Sequence, residues 1–443
     1  MTKKEKVFDK FKGQLYLNYL KKEGFKGNVV PLIMLLFFIV WSLLILITIR
    51  FFYIRIKYPF WSHMSVYHTY DYHYMFMSKT NRKIQMFPCK NKYTNPIQVK
   101  TINFYDLNET YTKYFVELLQ CFYIPDDAIL FTMVEKDMQS RFSGHFASVY
   151  TSFYNEKNLV PTSSRAEKSH KSVDIISTSV EIGLFPEPKG CIASFPVRVF
   201  FANDHFPANF FTFVCTDRAY SGQNISRDLI ATHDFNCRKQ NPGIDAGILK
   251  KDIGTCDGVV PFADFTTYVV QIRKQPKRQS MRNIVQVYRQ NWEVMFDTMY
   301  SIFEPNALFD LVISIDVGAV KARIDAGVWF VYAYCEAGNT LAMYFIENAH
   351  MLYEKTSKKT LRLVASINNG LSDALFQQGF GECLRKIMKQ NLDYKILLVD
   401  NIGHNAQIMK NKGDVLAETT GAYYFINYLF FNKVDRERAF ILV

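Results

Sequence analysis

The sequence predicts an α/β fold, an α+β mixed sheet in two similar halves, preceded by one membrane-spanning helix. Three observations carry that prediction. First, residues 29–49 read VVPLIMLLFFIVWSLLILITI, an uncharged run that at the helical rise covers roughly 30 Å, the thickness of a bilayer core. Second, strand-like apolar runs at 173–182, 191–201 and 210–216 lead into a polar turn and a helical pattern. The alternation returns with runs at 328–335, 340–346, 361–367 and 394–399 around a helical stretch at 372–389. Third, 49% of the 443 residues are hydrophobic and 16% aromatic, with 39 Phe and 27 Tyr, which excludes a disordered chain and predicts an aromatic core.

Residues 1–28 form a basic segment in which Lys3, Lys4, Lys6, Lys10, Lys12, Lys21, Lys22 and Lys26 precede the apolar run, against Arg50, Arg55 and Lys57 just after it. No small-residue cleavage site follows the run, so it reads as a retained anchor at 29–49. The positive-inside rule places the N-terminus in the cytosol. Residues 50–84 form an aromatic stem, in which His63, His68 and His73 recur at a spacing that suits neither a helical face nor a metal motif. Helical spacing through Leu107, Tyr111, Phe115, Leu118 and Phe122 predicts a helix over 104–123, followed by an acidic turn at Asp126 and Asp127. Residues 137–171, polar and rich in Ser, read as a loop. The basic stretch RKQPKRQSMR at 273–282 breaks the chain into halves at 85–272 and 283–443.

The net charge of +12 favours anionic partners: an anionic cofactor, nucleic acid or an anionic membrane face. The basic residues do not interleave with aromatics as a nucleic-acid motif would, so no nucleic acid is expected. Eight cysteines, at 89, 121, 191, 215, 237, 256, 335 and 383, include no CxxC pair and no His partner at metal spacing. No metal site is expected, and reduced buried thiols are the simplest state.

The segment most informative for function is FTFVCTDRAYSGQNISRDLI at 211–230. Phe211, Phe213 and Cys215 alternate as in a strand, Ser221, Gly222, Gln223 and Asn224 form a turn, and a helix begins near Ile225 and Ser226. A helix N-terminus offers unpaired amides to a phosphate, and an interrupted strand offers amides to a developing oxyanion. Upstream lies GCIASFP at 190–196, downstream IDAGILKKDIGTC at 244–256, and the chain closes on AFILV at 439–443. In that order these segments resemble the eukaryotic-type N-myristoyltransferases, relatives of the GNAT acetyltransferases, over roughly residues 85–443.

The resemblance implies two pseudo-symmetric GNAT-like halves, the first on the acyl-CoA side and the second on the peptide side. It also implies transfer of a myristoyl or related group from acyl-CoA to the amine of an N-terminal glycine. TFVC at 212–215 looks like the family's oxyanion motif NFLC, so the Phe213 and Val214 amides would hold the oxyanion. Thr94 in TNPI matches a family segment that lies near acyl-CoA. Thr94, Thr212, Cys215, Arg218, Ser221, Gly222, Gln223, Asn224, Ile225 and Ser226 are thereby implied in binding it. The terminal carboxylate of Val443 would be the general base, Asp245 stands where the family has a threonine that assists the amine, and Asp126, Asp127, Tyr424 and Asn427 are implied in peptide binding. The chain departs from the pattern where a basic CoA-gripping loop is replaced by Ser221–Asn224, leaving Arg218 and Arg227 on either side. Two alternatives stand beside this reading: an inactive GNAT-like membrane protein with a structural, lipid-binding or interaction role, and a type II membrane glycosyltransferase, for which no DxD motif is present. The chemistry implied by the resemblance belongs to the cytosol, whereas a cytosolic N-terminus would put the folded body on the other side, so orientation stays open.

Overall fold

The structure, a computed structural model, describes residues 29–71, 80–124, 126, 129–156, 187–201, 204–220, 222–273, 281–302, 308–353, 358–390, 394–410, 415–431 and 433–443. The strand predicted at 173–182, together with His73, Asp127 and Ser221, lies outside the described residues. The chain divides into two compact units, residues 1–62 and 63–443.

In the first unit, α1 (Val29–Lys57) contains the predicted anchor and runs eight residues past it. The extension is helical because its basic side chains lie along aromatic ones at one-turn spacing. The Arg55 guanidinium stands 5.2 Å from the Phe51 ring, and Lys57 Nζ donates to the Tyr53 hydroxyl at 2.9 Å. Leu36, Phe38, Trp41 and Leu44 are all exposed, so the helix is apolar on every side. It is long and apolar enough to cross a membrane. A five-residue helix, α2 (Pro59–His63), follows.

In the second unit the strands, in chain order, are β1 (Arg82–Lys83), β2 (Val99–Asn103), β3 (Ile129–Phe131), β4 (Tyr150–Tyr154), β5 (Gly190–Phe201), β6 (Asp204–Thr216), β7 (Ala246–Lys251), β8 (Ala263–Gln271) and β9 (Ile284–Gln286). There follow β10 (Leu311–Ser314), β11 (Trp329–Glu336), β12 (Asn339–Tyr353), β13 (Lys358–Asn368), β14 (Tyr394–Asp400), β15 (Val415–Ile426), β16 (Tyr428–Leu429) and β17 (Ala439–Leu442). The helices are α3 (Glu109–Phe122), α4 (Glu135–Phe142), α5 (Ile225–Gln240), α6 (Glu293–Ser301), α7 (Val317–Asp325), α8 (Asp373–Gln390) and α9 (Asn405–Met409).

Among the described residues, fifteen strands make one mixed, mostly antiparallel sheet, whose main path runs β17-β10-β5-β6-β7-β15-β8-β14-β13-β12-β11-β9. The path is symmetric about its centre. Outward from the β15–β8 pair lie β7, β6 and β5 on one side and β14, β13 and β12 on the other. In each half an antiparallel pair (β5–β6, β12–β13) is followed by a helix (α5, α8) and a strand parallel to the second of the pair. A parallel pair needs a crossover connection, and a helix with one apolar face is the usual solution. The strand after each unit then crosses to the other half, β8 beside β14 and β15 beside β7, which joins the halves through one core.

Two sequence expectations need correction. The helix predicted over 104–123 begins at Glu109, because the Asn108 side chain accepts from the Tyr111 amide at 2.8 Å and caps it there. The stretch predicted as a loop from 137 contains most of α4 and all of β4. Met138 and Phe142, one turn apart, bury α4. All five residues of β4 are buried, so it shows no apolar alternation. Its polar face is satisfied internally: Ser152 Oγ lies 2.7 Å from His233 Nδ1, and His233 Nε2 lies 2.8 Å from Ser194 Oγ. Burial pushes the His233 imidazole down to about 3, so it is neutral at physiological pH.

Gly421 sits in β15 where a Cβ would overlap the Phe265 ring and the Lys251 carbonyl oxygen. Gly421→Ala is expected to destabilise the fold by about 1–3 kcal/mol in chemical denaturation, as overpacking of a rigid core does. Unchanged stability would mean that the β15–β8 contact is loose.

Candidate functional site

The sheet parts at one place. Strands β6 and β7 are paired only from Ala208 and Ala246 to Phe211 and Leu249, and the other parallel pair joined by a crossover helix, β13–β14, ends at Leu363 and Val399. A cavity of about 170 Å³ lies there, lined by residues just beyond or at both ends: Phe211–Val214, Leu249, Lys250 and Asp252 from the first pair, and Arg362, Val364 and Asp400 from the second. Val443, after β17, lines the same cavity.

The β6 wall carries a bulge. Against β5 the register moves from Cys191–Cys215 to Ala193–Thr212, so Phe213 and Val214 together face a single partner position. Phe213 takes a φ of 56°, a left-handed conformation that costs a large L-residue energy and persists where packing imposes it. The packing is aromatic: the Phe213 ring lies 5.2 Å from Tyr123 and 6.0 Å from Phe142. Cys215 and Cys191 are buried thiols 3.3 Å apart. The Phe213–Val214 peptide is therefore held out of ladder register, with no β7 partner aligned beyond Phe211, and this is the backbone arrangement an oxyanion site uses.

Charge is buried opposite this bulge. Lys250 Nζ lies 2.9 Å from an Asp400 carboxylate oxygen and 2.7 Å from one of Asp252, which is itself exposed, and Thr267 donates to the other Asp400 oxygen at 2.6 Å. Glu347 accepts from Arg141 at 2.8 Å and from the Trp329 indole at 3.1 Å, with Arg362 at 3.7 Å. Burial would raise the Glu347 carboxyl, but Arg141, Arg362 and Arg323 hold it below its ordinary value. Burial acts on Asp400 in the same sense and is outweighed by Lys250 and Arg362. Lys250, which burial would deprotonate, is held above its ordinary range by Asp252 and Asp400. Burial raises the Tyr423 phenol, so it stays protonated at the cavity wall.

The structure brings Thr212, Phe213, Val214 and Val443 together at the cavity. Cys215 is buried behind it, its thiol directed at the Leu118 carbonyl. Gly222, Gln223 and Asn224 are exposed at the start of α5. Asn224, with a φ of 61°, occupies the N-cap without a side-chain bond to the helix. Ile225 is buried and Ser226 exposed in its first turn. Arg218 donates to the Ile124 carbonyl at 3.2 Å, which sets the corner beside the turn that contains exposed Asp126. Thr94 precedes Asn95, whose amide donates to Thr232 of α5 at 2.8 Å. Asp245 stands at the opposite end of β7 from the cavity, paired with Lys83. Asn427 is fully buried and donates to the carbonyls of Gln85 and Asp245 at 3.1 and 3.0 Å. Tyr424 is buried and accepts from the Cys256 amide at 2.7 Å, and its neighbour Tyr423 is the one at the cavity.

Sequence reasoning missed Arg141, Lys250, Glu347, Arg362, Asp400 and Tyr423. Four of them had a signal, since a single charge inside or closing an apolar strand, as in ILK, FIENA, LRLVASI and ILLVD, is buried only with a partner.

The fold is that of the N-myristoyltransferases. The structure is similar to Saccharomyces cerevisiae N-myristoyltransferase with bound myristoyl-CoA, at a TM-score of 0.61 and 11% identity over 86% of this chain and 93% of that one. It is also similar to the yeast enzyme with bound myristoyl-CoA and inhibitors, at a TM-score of 0.61 and 10% identity over 87% and 95%. No protein-family model and no curated protein matches the sequence, so the likeness rests on architecture.

Replacing Glu347 by Gln leaves the guanidinium groups of Arg141 and Arg362 without their buried counter-charge. A loss of about 3–5 kcal/mol is expected at pH 7. Because the Glu347 carboxyl is held low in the fold, its contribution is present above the unfolded value of about 4.3 and is lost as pH falls through the folded value. The stability gap between the wild type and Glu347→Gln should therefore close below about pH 4. A gap unchanged down to pH 2 would show that the charge of Glu347 is not what matters.

Proposed function

We propose that this chain is an acyl-CoA-dependent N-acyltransferase that moves an acyl group from CoA to the amine of an N-terminal glycine. The observation that carries the reading is the coincidence, at one cavity of an N-myristoyltransferase-type fold, of the Phe213–Val214 bulge and Val443. The Phe213 and Val214 amides stabilise negative charge on the thioester carbonyl oxygen while the glycine nitrogen attacks the carbon. The C–N bond forms, the C–S bond breaks, CoA leaves as its thiolate, and the Val443 carboxylate receives the amine proton and passes it on to that thiolate. The uncapped start of α5 and the flanking Arg218 and Arg227 receive phosphate. Residues 29–49 anchor the enzyme at a membrane.

A second reading, a catalytically inactive membrane protein of this fold with a structural, lipid-binding or interaction role, is favoured by one observation: Asp228 places a carboxylate in the first turn of α5, where a phosphate would be repelled. Incubating the full chain in detergent micelles with acyl-CoA and a glycine-initiated peptide distinguishes the two. Acylation of that peptide, but not of its alanine-initiated counterpart, is expected. Acyl-CoA binding without transfer to any peptide would leave the second reading.

The base is tested separately. A chain extended by a few residues beyond Val443 is expected to bind acyl-CoA as before and to lose transfer by about a hundredfold or more, the scale of general-base catalysis. Full transfer by the extended chain would remove Val443 from the mechanism.

A further inference from the structure

Single apolar side chains on a protein surface are ordinary, whereas several on one stretch mark a contact. Outside α1 the three most exposed large apolar side chains among the described residues are Met86, Phe87 and Ile97, at 78%, 78% and 79%. All three stand on one stretch, QMFPCKNKYTNPI at 85–97. Cys89, Lys90 and Lys92 are exposed between them.

The strip is fixed along α5. Near the end of that helix Arg238 donates to the Phe87 carbonyl at 3.2 Å, and Lys90 Nζ stands 5.8 Å from the Phe235 ring. Nearer its start the Asn95 backbone amide donates to Thr232 at 2.8 Å and the Asn95 side chain to Asp228 at 3.0 Å. Asp234 is paired with Arg238 at 3.2 Å and Asp245 with Lys83, whereas Lys90 and Lys92 stand beside the rings of Phe235 and Tyr93. The strip is also tethered. Asn91 donates to the His63 carbonyl at 3.3 Å, and the His63 and Tyr93 rings lie 5.9 Å apart. Only residues 58–62 separate His63 from Lys57, the last residue of α1, a reach of at most roughly 20 Å of chain.

We propose that the strip at 86–97 docks on the surface of an anionic lipid bilayer, the one that α1 crosses. Met86, Phe87 and Ile97 enter the boundary between headgroups and acyl chains, and Lys90 and Lys92 meet the anionic headgroups. Apolar side chains interleaved with lysines are the composition that binds such a boundary. The span alone already holds the chain at short range, so two lysines and three apolar side chains suffice to turn this face toward the lipid. The inference rests on residues 29–49 being a membrane anchor and is independent of the acyl-CoA reading.

The test places the full chain in phosphatidylcholine vesicles with and without phosphatidylserine. Cys89 and Cys121 are the exposed thiols and Cys335 is half-buried, so Cys121→Ser with Cys335→Ser directs a nitroxide label to Cys89. A label at Cys121, with Cys89→Ser and Cys335→Ser, is the control for the opposite face of the sheet: Phe115 of α3, the helix that holds Cys121, packs on Phe153 of β4, whereas α5 meets the adjacent Ser152. With phosphatidylserine present, the Cys89 label is expected to be relaxed by oxygen dissolved in the bilayer and shielded from a water-soluble nickel chelate, and the Cys121 label to show the reverse. The ratio of shielded to open Cys89 label should fall about fivefold for each of Lys90→Gln and Lys92→Gln, and about tenfold or more for Phe87→Ser. A Cys89 label as open to the chelate as the Cys121 label, or shielded equally without phosphatidylserine, in chains that stay with the vesicles at alkaline pH, would overturn the docking and leave the anchor standing. Chains that leave the vesicles at alkaline pH would overturn the anchor and the docking together. Spin–spin broadening between Cys89 labels with no gain in oxygen access would show a second copy on the strip and would also overturn the proposal.

Discussion

Buried charge has to be paired where it lies, and in this protein it lies where the parallel pairs β6–β7 and β13–β14 end. Glu347 on β12 is reached by Arg141 from α4 and Arg362 from β13, while Asp400 at the end of β14 is reached by Lys250 from β7. The Arg141–Glu347 and Lys250–Asp400 pairs tie the two halves together across the cavity. In the low-dielectric interior each one is stable only with its partners in position, so the cluster fixes the cavity's shape as well as its charge. A single helix or strand shifted by one residue would leave a guanidinium or carboxylate unpaired.

The duplicated layout explains why that place is open. A parallel pair joined by a crossover helix is held together along its shared length and has no partner beyond it. Each half ends its pair at the same depth, so two incomplete edges face one another instead of a continuous ladder. The bulge at Phe213 and Val214 adds to this opening, since it removes two residues of β6 from register with β5 just where β7 has fallen away. The strain of a left-handed phenylalanine is supported by the rings packed around it. Backbone polarity is thus concentrated at a cavity wall that a regular sheet would have filled.

The periodic part of this architecture was legible in the sequence. Runs such as 191–201, 328–335 and 394–399 became strands within a residue or two of their expected limits, because apolar strands flanked by turns have a period that tertiary contacts reinforce. The stretch from 137 was not legible, since β4 is buried on both faces and its Ser152 bonds to His233 and Thr101 rather than to water. The alternation of Phe211, Phe213 and Cys215 marked a strand, whereas the roles proposed for Phe213, Val214 and Val443 came only through resemblance. The charged cluster belongs to a third kind: each member was visible as a lone charge in an apolar run, but the pairing is made by residues as distant as 141 and 347, and no local pattern encodes that.

The two ends of the candidate site are built on unequal terms. At the start of α5 the available groups are backbone amides, Arg218 and Arg227, and they share the first turn with Asp228. Burial raises that carboxyl, while the Asn95 side-chain amide, donating at 3.0 Å, acts against the rise. Because Asn95 also fixes Thr232 on the next turns, the acidic group is part of the scaffold that positions the corner and cannot swing aside for a phosphate. At the cavity both signs of charge meet, with Arg141, Lys250 and Arg362 beside Asp252, Glu347, Asp400 and Val443. A ligand that reached from the α5 corner to the cavity would meet an acidic helix start at one end and paired charge at the other, so its fit would depend on what it places beside Phe213 and Val214.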